Sequence, residues 1–428
     1  MNRAPDTPRS DVPALALVFA LALAFEIAIS LAGIRNNRIA LPQLAVFFDG
    51  HLYLEIARSF PLPYAAEGLA YQGHAPAYPA LVALLRWSSG GLASWGVAGL
   101  LGAWLPAALS AAVFYDIAKR VAPAPLGATL LFIAANPRWA MLGATPHSEP
   151  LAMLLSLACL SAYLRGALGW SVAWLSLAAL ARFPAILLGA SLALGVLWIR
   201  GDRRPSRWLV LAAPLVTFAL YNLYLELRIP DFAGIVGAHA VWWDTGWTWP
   251  FAELLTHAAS LNRSAALPTA QLTFALLALY TLALGLGFWR QPREHWILPL
   301  WVAPILLFHV SLTGQVGAAD FARLAVLAWP AALLVVWTRA CGWLEPRLSS
   351  GAALAASAAI TLAAATLSFN VATGHIALAV FGQRSSQAYL EQAMSRLDDD
   401  EPHWVDFGAY ARDAARRQRG PKARPQSP

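Results

Sequence analysis

The sequence predicts an all-α polytopic membrane protein, and three observations carry that prediction. Charged residues make up only 12% of the 428-residue chain and hydrophobic ones 59%, whereas soluble globular chains carry about 25% charge. Apolar runs approaching the ~20 residues that a bilayer crossing needs recur along almost the whole length. Arginine and lysine fall mostly between those runs, as membrane topology requires. The net charge of +7 is therefore a topology signal and gives no support to nucleic-acid binding.

In chain order the candidate spans are 12–33, 93–117, 124–136, 147–165, 170–181, 183–199, 207–227, 267–289, 296–313, 321–340 and 351–370, or roughly ten or eleven crossings. The first, Val12 to Gly33, follows a short basic N-terminus with Arg3 and Arg9. Ser30-Leu31-Ala32 would pass as a signal cleavage site, but the run is longer than a usual signal h-region and reads as a transmembrane helix. Glu26, inside it, is expected to be paired within the bundle rather than catalytic. Cys159 and Cys341 fall in or beside apolar helices with no metal-ligand spacing, so neither a disulfide framework nor structural zinc is indicated.

Basic clusters orient the chain. Lys119-Arg120, Arg165, the run Arg200 to Arg207, Arg290 with Arg293, and Arg339 with Arg347 fall on one side, joined by Arg3 and Arg9, and that side is expected to be cytoplasmic. The organisation that follows is one transmembrane domain, 1–383, with a first exterior loop 34–92 and a Trp-rich exterior loop 228–266. A C-terminal tail, 384–428, is expected to be partly amphipathic and then disordered. No repeat and no independent soluble domain is visible.

The exterior loops hold the chemistry. Two short helical patterns, Asp49 to Phe60 and Ala77 to Trp87, are separated by Pro61, Pro63 and Pro76, with Pro79 inside the second; neither can span, and both are expected to lie along the interface. Asp49 emerges just after the first span. On a helix starting there, Asp49, Leu52, Tyr53 and Ile56 share one face and His51, Glu55 and Arg58 another. Two readings of Asp49 stand: a helix N-cap, worth about 1 kcal/mol, or a general base for a substrate hydroxyl. The second exterior loop carries Trp242, Trp243, Trp247 and Trp249 with His239, Asp244 and His257.

Phe48-Asp49-Gly50-His51-Leu52-Tyr53-Leu54-Glu55-Ile56-Ala57 resembles the W-D-G-x-x-Y/F-L-x-I-A segment of the PIG-V-like mannosyltransferases, members of the GT-C class of polyprenyl-phosphate-sugar-dependent glycosyltransferases. His74-Ala75-Pro76-Ala77-Tyr78-Pro79 is similar to the family's following F-P-x-x-P helix start. Asn136-Pro137 with Thr145-Pro146-His147-Ser148-Glu149-Pro150-Leu151 resembles its N-P…P-x-S-E-S-L. Ala181-Arg182-Phe183-Pro184 is similar to an R-P-T-G-type element, and Asp320-Phe321-Ala322-Arg323-Leu324 with Trp329-Pro330 to a late R-Y/F…F-P helix. The resemblance runs in order over residues 40–340. It departs at Phe48, where the family has Trp, at Ala75, where it has Phe, and in the His147 to Pro150 sequence. These departures bear on the sugar and acceptor more than on the class.

The resemblance implies a GT-C bundle with interfacial helices in the first exterior loop, in the plasma (inner) membrane, acting on the exoplasmic side. A hexose, mannose or similar, would pass from a polyprenyl-phosphate donor to a lipid, glycan or protein acceptor with inversion. Asp49 would be the base, and no cofactor is firmly implied. His147 and Glu149, at the mouth of the fourth span, read as sugar-hydroxyl contacts or as an interfacial polar cap with Ser148; a metal site built from them with Asp49 is a further alternative. Arginine inside a membrane helix costs about 2.5–3.5 kcal/mol at its centre. Arg182 and Arg323 are therefore expected to bind the donor phosphate, the other readings being snorkelling for Arg182 and an Asp320 ion pair for Arg323. His51, Glu55, Tyr71 and His74 are candidate substrate contacts. Trp242 and Trp243 read as a lid over sugar or polyprenyl chain, or as an interfacial aromatic belt. The rival classes are a transporter or flippase for a lipid-linked glycan, which predicts broken helices at matching positions of two halves, and a binding-only relative.

Overall fold

The computed structural model describes residues 11–46, 49–61, 73–199, 201, 208–229, 234–235, 237, 246–253, 267–289, 296–313, 321–344, 347 and 350–384. Among them there is no strand, only one antiparallel bridge between Trp247 and Leu312. Every candidate span is a helix. The long ones are α1 (Val12–Asn37), α5 (Trp95–Val121), α11 (Leu209–Glu226), α12 (Leu267–Phe288), α14 (Phe321–Leu344) and α15 (Ser350–Arg384). Those 6 are long and apolar enough to cross a membrane. Between them lie the shorter apolar helices α6 (Pro125–Ala134), α8 (Glu149–Leu164), α9 (Leu168–Ala181), α10 (Phe183–Ile199) and α13 (Ile297–Val310). This is the architecture of a multi-pass membrane protein.

Local chemistry explains the ends. Pro13 opens α1, where its missing N–H is no loss, and Arg38 closes it in the left-handed region (φ 53°), returning its N–H to Ile34 and Arg35 carbonyls. A short turn helix, α2 (Leu41–Leu44), then leads to α3 (Gly50–Ser59) and α4 (Ala77–Ser88), both too short to span. The expected span 124–136 is only the 10-residue α6. It breaks because Asn136-Pro137 ends one helix and caps the next: the Asn136 carboxamide oxygen accepts from the backbone N–H of Arg138 (3.0 Å) and Trp139 (3.2 Å). That cap starts α7 (Pro137–Ala144), an element absent from the sequence expectation.

The interior is apolar, and two of its tryptophans tie helices together by hydrogen bonds. Trp301 donates to the Leu327 carbonyl at 3.1 Å and Trp329 to that of Phe132 at 3.3 Å, while Phe114 stacks on Phe132 with centroids 4.4 Å apart. By contrast α11 and α15 turn Leu215, Val216, Leu220, Leu362 and Leu367 outward, an extent of exposed apolar surface that a lipid solvent explains. Glu26 departs from expectation. It is 1% exposed, its Oε2 has no hydrogen-bond partner among the described residues, and its carboxyl group lies flat on the backbone of Gly143, where a Cβ would come within 2.5 Å of it.

Charged side chains gather at both ends of the bundle. At one end Lys119 pairs with Asp11, and Asp116 accepts from Ser161 (2.9 Å), Arg165 (2.8 Å) and Arg120 (3.3 Å). The loops carrying Asp49, Glu149 and Arg182 emerge at the other.

Candidate active site

Asp49 occupies the N-cap position of α3 but does not cap it: its side chain makes no bond to the helix N-terminus. Gly50 makes this turn possible, because a Cβ there would sit 2.2 Å from the Ala45 carbonyl oxygen. The carboxylate is turned instead toward α14, where Arg323 Nη2 donates to its Oδ2. The same guanidinium donates from Nε to Glu149 Oε1 at 2.5 Å. Arg182, at the junction of α9 and α10, reaches that oxygen through Nη1 at 2.6 Å. Asp49, Arg323, Glu149 and Arg182 thus form an ionic chain of alternating sign and zero net charge.

Burial separates the two acids. The Glu149 side chain is 0% exposed, whereas Asp49 keeps 24% of its side chain open. Asp49 can therefore meet a substrate directly, while Glu149 orients the arginines from behind. Its place in the first turn of α8 also favours negative charge there. Burial works against ionisation of Asp49, but Arg323 first, and then His74 and His147, outweigh it and hold the carboxyl well below the usual carboxylate range.

The cleft in front of these groups is open at its mouth and holds about 590 Å³ of space with that mouth included. Its lining includes Asp49, Tyr53, His74, Ser148, Arg182 and Arg323, with Phe183, Pro184 and Ile235 on the apolar side. Tyr53, one turn after Asp49, shares a hydrogen bond of 2.8 Å with Ser148. His74 stands edge-on to the Tyr53 ring at 4.9 Å, and Tyr78 does the same from α4. Burial, with Glu149 and Asp49 adding to it, pushes the Tyr53 phenol up, so it stays a neutral donor and acceptor.

His147 is fully buried beside this group, its Nδ1 2.8 Å from Thr145 Oγ1. The Thr145 hydroxyl spends its proton on the Met141 carbonyl at 2.7 Å, so the His147 Nδ1–H is the donor and Nε2 is left as an acceptor in the neutral ring.

The sequence candidates therefore divide. Asp49, His74, Arg182 and Arg323 line one cleft, with Glu149 bonded to both arginines behind it. His51 and Glu55 lie on the other face of α3, away from that lining: His51 Nδ1–H donates to the Val46 carbonyl at 3.3 Å and Glu55 accepts from Arg58 at 2.8 Å. Arg182 is held by Glu149 rather than snorkelling alone. Tyr71, Trp242, Trp243 and Asp320 lie outside the described residues. Among the described residues no group of three His, Cys, Asp or Glu side chains could hold a metal ion; Arg323 stands between the two acids. Of the other lining residues, Tyr53 was placed on the Asp49 face and Phe183 in the Arg182 motif without being named as contacts, and Ile235 had no signal.

No family model matches the chain, and no curated protein does. Solved structures do, among them two of ArnT from Cupriavidus metallidurans. The structure bound to undecaprenyl phosphate is 16% identical with a TM-score of 0.50. The apo structure is 18% identical with a TM-score of 0.51. Each match covers 98% of this chain and 82% of the ArnT chain. The chain shares the GT-C fold. In this GT-C fold the ionic chain sits where α1 through α4, α8, α9 and α14 converge at one end of the bundle.

Proposed function

We propose that this protein is an integral-membrane glycosyltransferase that moves a sugar from a polyprenyl-phosphate carrier to an acceptor hydroxyl. The observation that carries this reading is a partly exposed carboxylate, Asp49, held in a cleft by an arginine on a GT-C scaffold. The ArnT structure with undecaprenyl phosphate bound supports a polyprenyl-linked donor. The basic end of the bundle, with Lys119, Arg120 and Arg165, supports a cytoplasmic location for that end, and so an exoplasmic one for the cleft.

In this reading Asp49 accepts the proton of the acceptor hydroxyl as its oxygen attacks the anomeric carbon from the face opposite the phosphate. The new C–O bond forms as the bond to the phosphate oxygen breaks, so the anomeric configuration inverts. Asp49 ends as a neutral acid and the polyprenyl phosphate leaves with one more negative charge. Arg182 and Arg323 stabilise that developing charge, which their fork of donors suits. The apolar wall of Phe183, Pro184 and Ile235 suits the first units of a polyprenyl chain. The resemblance to PIG-V-like enzymes supports a hexose, mannose or a similar sugar, as the group transferred.

Mass spectrometry of lipid and envelope-glycan pools tests this in a deletion strain complemented with the wild-type chain or Asp49→Asn at matched membrane expression. A glycoconjugate that loses one sugar on deletion and regains it only with wild type supports transfer, and the mass difference gives the sugar class. Full restoration by Asp49→Asn overturns the catalytic role of Asp49 and favours a transporter or flippase.

A further inference from the structure

Both arginines that line the cleft are already bound to carboxylates: Arg323 to Asp49 and Glu149, Arg182 to Glu149. A chain of zero net charge has no cation to offer an incoming phosphate unless one ion pair is exchanged. The exchange has a natural place. Arg323 is anchored through Nε on Glu149, which is 0% exposed and enclosed, while its Nη2 arm rests on Asp49, which is 24% exposed and faces the cleft. One arm of the fork can change partner while the other stays fixed.

We infer that Arg323 is a partner-exchanging cation, which holds Asp49 until a polyprenyl-linked phosphate enters the cleft and then moves its Nη2 arm to that phosphate, so that donor binding must precede activation of the acceptor. The inference rests on the glycosyl-transfer reading above and adds a compulsory order to it. The charge flow of the reaction agrees. During transfer one negative charge leaves Asp49, which gains the acceptor's proton, and one appears on the phosphate, which gains the electron pair of the broken C–O bond. A cation that follows that charge is bound more strongly in the transition state than in the free enzyme, which is the condition for accelerating the step.

The order also has a chemical purpose. While Arg323 holds it, Asp49 is too weak a base to deprotonate a hydroxyl. The groups facing Asp49 are Tyr53 on its own helix, His74 ahead of α4, His147 and Glu149 at the start of α8, and Arg323 on α14. Of the cations among them, Arg323 is the one whose departure both frees the carboxylate and neutralises the phosphate. A hydroxyl entering an empty cleft, water included, therefore meets an inactive base.

Infrared difference spectroscopy on the purified full chain in lipid nanodiscs tests this with undecaprenyl phosphate as the probe. The sample is held at about pH 5, where an ordinary aspartate is largely ionised. Binding is followed in parallel by tryptophan fluorescence. The expected result is a protonated-carboxyl band in the lipid-bound minus lipid-free difference spectrum that is lost in Asp49→Asn. A folded Arg323→Lys variant, with one nitrogen in place of the fork, should lack that difference band, its Asp49 being protonated before any lipid is added. Lipid that binds without producing the band overturns partner exchange and leaves the transferase reading standing. Lipid that fails to bind at all overturns both.

Discussion

Arg323 and Asp49 are 274 residues apart in the chain, and their ion pair ties the start of α3 to α14. Because Arg323 also reaches Glu149, one guanidinium links three of the segments that meet at the cleft. Position and charge of the proposed base are therefore set by one side chain. A substitution there acts on folding and on chemistry together, and the two effects have to be separated by design.

Asp49→Asn keeps the shape of the side chain and removes the base, so transfer should fall by about 10²–10⁴-fold in membranes with matched protein levels. Arg323→Gln leaves Asp49 without its cation while Glu149 keeps Arg182, and loss of one member of a buried pair costs about 3–5 kcal/mol. Combining Asp49→Asn with Arg323→Gln removes one stranded charge. The double variant should recover part of the melting temperature lost in Arg323→Gln while staying inactive. Strict additivity of the two stability losses would show that the pair is not coupled.

The lowered pKa of Asp49 has a signature in stability. Its folded value lies below the roughly 3.9 of an unfolded aspartate. Its pairing therefore stabilises fully above that unfolded value, and the contribution is lost as pH falls toward the folded one. Thermal unfolding in detergent should be level in this respect from about pH 7 to about pH 5 and decline below about pH 4. Asp49→Asn should show a shallower acid decline. Equal slopes in the two proteins would mean that Arg323 does not hold the carboxylate.

The bundle was legible because apolar length is a local property: each run announces its own helix whatever it packs against. The shared face of Asp49 and Tyr53 was legible for the same reason, since i and i+4 positions coincide on any helix. The ionic chain was not. Glu149 and Arg323 are 174 residues apart, and no periodicity predicts which helix ends meet. The end of the third candidate span at Asn136-Pro137 was legible, since hydropathy falls there and asparagine caps helices, but the short helix α7 that follows was not. Glu26 misled because charge in a span suggests a partner; the small Gly143 accommodates the carboxyl by shape instead.

Tyr53 fills space and makes a polar contact, and two substitutions separate these roles. Tyr53→Phe removes only the hydrogen bond to Ser148 and should cost about 1 kcal/mol, with transfer reduced by less than about tenfold. Tyr53→Ala also removes the ring that His74 and Tyr78 pack against. It should cost about 3–5 kcal/mol and lower the yield of folded protein in membranes. Similar melting temperatures for the two variants would place the contribution in the hydroxyl rather than the ring.

Gly50 and Gly99 give the sharpest test of how Asp49 is held, because both tolerate helix yet meet different neighbours. In an open helix, alanine would stabilise either position by about 0.5–1 kcal/mol. At Gly99 the added methyl would lie 3.0 Å from Leu54 Cδ2, the end of a side chain that can rotate away. At Gly50 it would lie 2.2 Å from the Ala45 carbonyl oxygen and 3.2 Å from its carbon, and backbone cannot rotate away. Gly50→Ala must therefore displace the turn that carries Asp49, pulling the carboxylate off Arg323. Transfer should approach the level of Asp49→Asn, whereas Gly99→Ala should keep most of its activity. Wild-type activity in Gly50→Ala would mean that the chain from Ala45 to Asp49 bends without moving the base, and that Arg323 alone fixes its position.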